Sequence, residues 1–79
     1  MSWRVVVISN SAKADYKLDY LIVRTAESVS RIHISEISVL IIESTAVSVT
    51  AYLLCELIRR RVKIIFCDQM RNPCSELLP

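Results

Sequence analysis

VLIIESTAVSVTAYLLCELIRRRVKIIFC, residues 39–67, holds two strand-like runs on either side of a helix-like stretch, and this order decides the fold. Val39-Leu-Ile-Ile42 is apolar on both faces, which reads as a central strand covered on both sides. The period then changes. Val47, Ala51, Leu54 and Ile58 recur at helical spacing with Leu53 and Leu57 beside them, while Ser48, Tyr52, Glu56 and Arg60 line the opposite face. Ser48 is the expected N-cap, with Val47 and Tyr52 closing a hydrophobic staple around it. Glu56 and Arg60 make a favourably oriented i,i+4 pair. Val62–Cys67 returns to a strand, so the stretch is a strand–helix–strand unit, with a right-handed crossover if its strands are parallel.

Upstream, Arg4–Ser9 is a β-branched strand ending at the Asn10-Ser11 turn. From Lys13 to Leu18 apolar and polar residues alternate, with Ala14, Tyr16 and Leu18 on one face. Leu18-Asp19 predicts a two-residue hairpin into Tyr20–Arg24, because Asp tolerates the left-handed conformation that such a turn needs. Val29, Arg31 and His33 alternate with Ser30, Ile32 and Ile34 in another short strand. The whole is an α+β domain of about six short strands, with one amphipathic helix between the last two. Residues 1–70 form the domain in this reading. Residues 71–79, with Asn72-Pro73 and a Leu-Leu-Pro ending, begin a linker, and the chain is expected to stop before its natural end.

Seventy-nine residues allow one domain. A body this small buries only about 60% of its unfolded surface. Yet 53% of the residues are hydrophobic and the mean hydropathy is +0.42, so part of the apolar surface calls for a partner subunit. A membrane is not the expected partner. A spanning helix needs about 20 nearly uninterrupted apolar residues, whereas the apolar runs here are short and bounded by polar residues. The Met1-Ser2-Trp3-Arg4 start shows no secretory signal, so the expected location is cytoplasmic.

There is no glycine. Phosphate-cradling P-loops and dinucleotide fingerprints need glycine where backbone approaches phosphate, so both are excluded, as is a Gly-x-Ser-x-Gly nucleophile elbow. Cys55, Cys67 and Cys74 are odd in number and lack Cys-x-x-Cys spacing. Cys55 and Cys67 read as core thiols and Cys74 as an exposed free one. A zinc or thiol sensor built from these cysteines and His33 is a third functional reading, below the two given later, and nothing in the spacing requires it. Glu36, Glu43 and Asp68 are strand-end carboxylates of the kind that hold magnesium in nucleases, but the Glu-x-Lys or Gln-x-Lys that usually accompanies them does not occur. The net charge is only +2, with Arg59, Arg60, Arg61 and Lys63 clustered and Arg71 a little beyond. This cluster reads either as a solvated helix end, where the dipole favours cations, or as a phosphate-contacting patch.

Trp3-Arg4-Val-Val-Val, Tyr16-Lys17, Ile32-His33-Ile34-Ser35-Glu36-Ile37, Leu40-Ile-Ile-Glu43 and Ile64-Ile-Phe-Cys-Asp68, in this order, resemble the start of the CRISPR spacer-acquisition integrase, in a version like that of type II systems. The resemblance spans the chain from Met1 to Pro79, and the family pattern continues for more than twice this length. It implies a β-rich amino-terminal domain with one helix, which builds a homodimer and helps seat double-stranded DNA. It also implies a helical carboxy-terminal domain whose Glu, His and acidic residue bind Mg or Mn, and a small ferredoxin-like partner flanked by two integrase dimers. None of the three metal ligands has a counterpart here, and His33 and Glu36 are not those ligands. The intact family member would be a metal-dependent DNA endonuclease and integrase, with no catalysis expected from these 79 residues alone. Arg59, Arg60 and Arg61, with Lys63 and Arg71 weaker, are the candidates for DNA backbone contact. Tyr16 and Tyr20 are candidates for stacking against a duplex end, with hairpin packing as their alternative role. The competing reading is a free-standing homodimeric protein-interaction module.

Overall fold

The computed structural model describes residues 4–79; Trp3, which opens the family-like pattern, lies outside the described residues together with Met1 and Ser2. In chain order the elements are β1 (Arg4–Ile8), β2 (Ala12–Lys17), β3 (Tyr20–Arg24), β4 (Val29–His33), a 3-10 turn (Ile34–Glu36), β5 (Ile37–Ile42), β6 (Val47–Val49), α1 (Ala51–Arg59), β7 (Lys63–Cys67) and β8 (Pro73–Leu77). The α+β class with a single helix stands. The helix lies between β6 and β7 of eight strands, where the sequence pattern predicts about six. The two strands without a clear pattern are the three-residue β6 and the exposed β8, both too short or too polar to alternate visibly.

Two four-stranded sheets divide the strands. Sheet A has the order β1-β5-β7-β8, and sheet B the order β4-β3-β2-β6. β5 pairs in parallel with both β1 and β7, so the strand expected to be central is central. β8 is antiparallel to β7 at the sheet edge, where a proline at the first strand position removes no ladder bond. β2, β3 and β4 form an antiparallel meander, and β6 joins β2 in parallel.

The inner faces of both sheets meet in one core. Val6, Ile8, Leu40, Ile42 and Ile64 from sheet A pack with Ala12, Ala14 and Leu21 from sheet B, and Leu53 and Leu57 of α1 close the cluster. Small residues on β2 let the helix approach the sheet closely. Truncating a fully buried leucine in such a core typically costs about 2–5 kcal/mol.

Several local expectations are corrected. Thr50, not Ser48, caps α1: its hydroxyl accepts the Leu53 N–H at 3.1 Å. Ser48 lies in β6, because the Val47–Val49 segment gains ladder bonds to β2 that a longer helix would forfeit. Glu56 is not on a wet face. It lies in the buried set of α1 with Leu53 and Leu57, its charge met by Arg59 at 2.6 Å and Arg60 at 3.8 Å. Cys55 takes the exposed position instead, and Cys74 is exposed as expected. Cys67 is buried, and desolvation raises its thiol pKa. Leu18 is no strand residue. It is 79% exposed in the hairpin turn, and both Leu18 (φ 49°) and Asp19 (φ 70°) are left-handed, as a type I′ turn requires.

The helix ends without glycine. Arg61 N–H donates to the Ile58 carbonyl at 3.0 Å and Val62 N–H to the Leu57 carbonyl at 2.9 Å, which is a Schellman motif. Its left-handed position is filled by Arg61, with φ 65°.

Candidate nucleic-acid interface

The two sheets present outer faces of opposite chemistry. On sheet A the parallel register sets Val5 beside Val39 and Lys63, and Val7 beside Ile41 and Ile65. Val5 and Val7 are 55% and 48% exposed, and Val39, Ile41 and Ile65 are half-buried. β5 is therefore covered on one side only within this chain, contrary to the expectation of cover on both. Lys63 pairs with Glu76 at 3.3 Å on this face, and Arg71 with Glu43 at 3.0 Å near the carboxyl ends of the strands.

On sheet B the rows are Lys17, Tyr20 and His33, then Asp15, Ile22 and Arg31, then Lys13, Arg24 and Val29. Four cations stand against one carboxylate, so this face holds more positive charge than the chain's net +2. Arg24 binds Asp15 at 2.7 Å. Lys13, Lys17 and Arg31 have no carboxylate partner among the described residues. The Tyr20 ring meets His33 edge-on at 5.1 Å and carries the Arg31 guanidinium over it at 5.9 Å. Around Ile22 these side chains enclose a shallow trough of about 450 Å³, lined by Lys17, Arg24 and Arg31 among Leu18, Tyr20 and Val29.

The cations singled out in the sequence do not gather into one free patch. Arg59 is tied to Glu56. Arg60 reaches from the end of α1 to the hairpin, where it donates to Asp19 and to the Tyr16 hydroxyl (3.1 Å) and lies over the Tyr16 ring at 5.7 Å. Tyr16 in turn donates to Asp19 at 2.9 Å and packs edge-on against Tyr52 at 5.0 Å. The Arg60 guanidinium and then the Tyr16 hydroxyl hold the Asp19 carboxyl below its ordinary pKa, while the bond to Asp19 raises that of Tyr16. Arg61 is exposed and has no carboxylate partner among the described residues. Lys63 and Arg71 belong to sheet A and its carboxyl end. Tyr16 is thus built into a latch, whereas Tyr20 lies on the basic face of sheet B.

His33 Nδ1 accepts the Ser35 N–H at 3.2 Å and so caps the 3-10 turn. The cationic rows of sheet B were not assembled from the sequence. Their signal was present in the period-two spacing of Lys13 and Lys17, of Arg24, and of Arg31, but it becomes a patch only once the Leu18-Asp19 turn fixes the register. Among the described residues no three His, Cys, Asp or Glu side chains come together as a metal-ligating group, and no helix is long and apolar enough to cross a membrane.

No protein-family model matches the sequence. Over all 79 residues the chain is 29% identical to a CRISPR-associated endonuclease Cas1 of Neisseria meningitidis serogroup C (strain 8013), of which it spans 26%. A CAS1 protein from Thermotoga maritima superposes with a TM-score of 0.87 at 16% identity, covering 96% of this chain and 24% of that one. A Cas1 solved as a complex with DNA (TtCas1) gives 0.84 at 10% identity, covering 98% and 29%. A partial Cas6-RT-Cas1–Cas2 complex gives 0.86 at 10% identity, covering 100% and 24%. At these identities the solved structures bear on the fold alone. The chain spans about a quarter of the Cas1 relative that it matches. The resemblance to the CRISPR spacer-acquisition integrase therefore holds along the whole chain: these 79 residues are similar in sequence to about a quarter of a Cas1 endonuclease and share the fold of solved Cas1 structures.

Proposed function

We propose that the chain is the amino-terminal, non-catalytic part of a CRISPR adaptation integrase, serving dimerisation and contact with the DNA backbone. The end-to-end sequence match to a Cas1 endonuclease carries this reading. An integrase of this kind joins a spacer 3′-hydroxyl to a repeat phosphodiester, and Mg or Mn would stabilise the charge on the transferred phosphate. In this reading the metal belongs to a helical domain beyond β8, which is a strand of sheet A and not a linker, and the two-sheet domain holds the assembly in place. Solved relatives in complex with DNA and with Cas2 support DNA and a Cas protein as partners; that the DNA is double-stranded and the partner small and ferredoxin-like is what the family resemblance implies. The assembly works in the cytoplasm, where its DNA is.

The bare valine and isoleucine rows of sheet A support a homodimer surface, because a patch of this kind is usually covered. Arg61, which has no carboxylate partner among the described residues, and Arg59, whose side chain stays 70% exposed although it pairs with Glu56, are the best placed of the helix-end cations for phosphate, since Arg60 is half-buried against Asp19 and Tyr16. Lys63 and Arg71 would have to leave Glu76 and Glu43 to reach DNA. Replacing Arg59 and Arg61 by glutamine should weaken duplex binding and lower the log–log salt slope by about 2, roughly 0.9 for each phosphate lost. An unchanged slope in a titration against NaCl would remove these two residues from the DNA surface. The sheet A face also favours a second reading, a free-standing homodimeric interaction module. That reading is preferred if the protein dimerises but binds no duplex at low salt.

A further inference from the structure

We infer that the trough on the outer face of sheet B binds single-stranded nucleic acid, with phosphates against Lys17 and Arg31 and unpaired bases against Leu18, Tyr20 and Val29. This rests on the nucleic-acid reading above, but it names another strand state and another face.

Two properties of the trough occur together. Lys17 and Arg31 have no carboxylate partner among the described residues, so they can meet phosphate without breaking an internal pair. Beside them in the same trough are aliphatic side chains that nothing in this chain covers, with Leu18 79% and Val29 60% exposed. A duplex turns its phosphates outward and stacks its bases within, so it would satisfy the cations and leave this apolar surface bare. Unpaired nucleotides offer both groups, a charged backbone and a flat base. Tyr20 is suited to receive a base because its ring is already fixed by the His33 edge and the Arg31 guanidinium. The guanidinium plane adds a second stacking surface. Asp15, the one carboxylate on the face, is held by Arg24. An acidic peptide would match the cations but would bring no flat surface for Leu18 and Val29.

Fluorescence anisotropy of the full chain with a labelled oligo-dT, and with a duplex of equal length, tests the assignment across a NaCl series. Joint replacement Lys17→Gln and Arg31→Gln should lower single-strand affinity about tenfold and the log–log slope by about 1.4, roughly 0.7 per phosphate, with duplex affinity changed less than threefold. Tyr20→Leu, which keeps an apolar cover beside Ile22, should lower single-strand affinity about fivefold and leave the slope unchanged. Circular dichroism of each variant separates these losses from unfolding. Unchanged single-strand binding in both variants overturns the inference, and so do equal losses on single strand and duplex. Tighter binding of polyglutamate than of oligo-dT overturns it in favour of an acidic protein segment. Binding of duplex but not of single strand removes this assignment alone. Binding of neither also removes the DNA-contact role proposed above.

Discussion

The outer faces of sheets A and B are built from strands of similar length, yet one is apolar and the other basic. Pairing direction accounts for the difference. β1, β5 and β7 lie side by side in parallel, and such strands tend to be apolar on both faces because they are usually buried on both. Here only one face is buried by the chain itself, so Val5 and Val7 are left exposed and Val39, Ile41 and Ile65 half-buried on the other. The β2–β4 meander is antiparallel, and its strands alternate between Ala14, Leu21 and Ile32 inward and Lys, Arg and Tyr outward. A sheet that alternates is finished on its own, and its outer face is free to take a polar ligand.

The sharpest way to break this contrast is to charge the apolar face. Ile41→Lys should weaken self-association by at least 30-fold in sedimentation equilibrium, as expected for loss of a central interface residue worth about 2 kcal/mol or more. The thermal midpoint of the dissociated protein should change little, since Ile41 is outside the core cluster. A monomeric wild type at high concentration would refute the partnered reading of sheet A. Smaller effects come from the connections. Arg61 occupies the left-handed position of a Schellman motif, where a side chain costs about 1 kcal/mol relative to glycine. Arg61→Gly should therefore raise the thermal midpoint by about 4–8 °C, and a lower midpoint would show that Arg61 contributes contacts outweighing its strain. The smallest effect is expected at the hairpin of sheet B. Asp19 has its pKa depressed by Arg60 and Tyr16, so its contribution to stability is present above the ordinary aspartate pKa of about 4 and is lost as pH falls through the lower folded value. Asp19→Asn should flatten the stability–pH curve below pH 4 and leave its shape near neutrality unchanged. An identical acid slope in both proteins would mean that the latch does not persist in solution.

Much of this was legible in the sequence because it depends on short-range pattern. The β-branched runs, the Leu18-Asp19 turn and the helical stripe of Leu53 and Leu57 each declare themselves within a few residues. The features that escaped depend on partners distant in the chain. Ser48 looks like an N-cap until β2 is present to recruit Val47–Val49 as a strand. Glu56 falls on the polar side of a helical wheel, but two arginines neutralise it, so it can lie inward. The basic cluster at Arg59–Arg61 stood out because its members are adjacent. Arg60, however, is taken up by Asp19 and Tyr16, forty-odd positions earlier. Lys13, Lys17, Arg24 and Arg31 are inconspicuous in the sequence for the opposite reason, being scattered along the chain and gathered only by strand pairing.

The pairing of β1 with β5 has a kinetic consequence. Arg4 lies against Ile37 and Ile8 against Ile42, so β1 lacks this neighbour until the whole meander has followed it. Closing so long a loop is slow compared with zipping β2 to β3 across two residues. Sheet B should therefore assemble first, while a valine-rich segment waits unpaired and prone to capture by other nascent chains. In hydrogen-exchange pulse labelling, amides of β2 and β3 would then gain protection before those of β1.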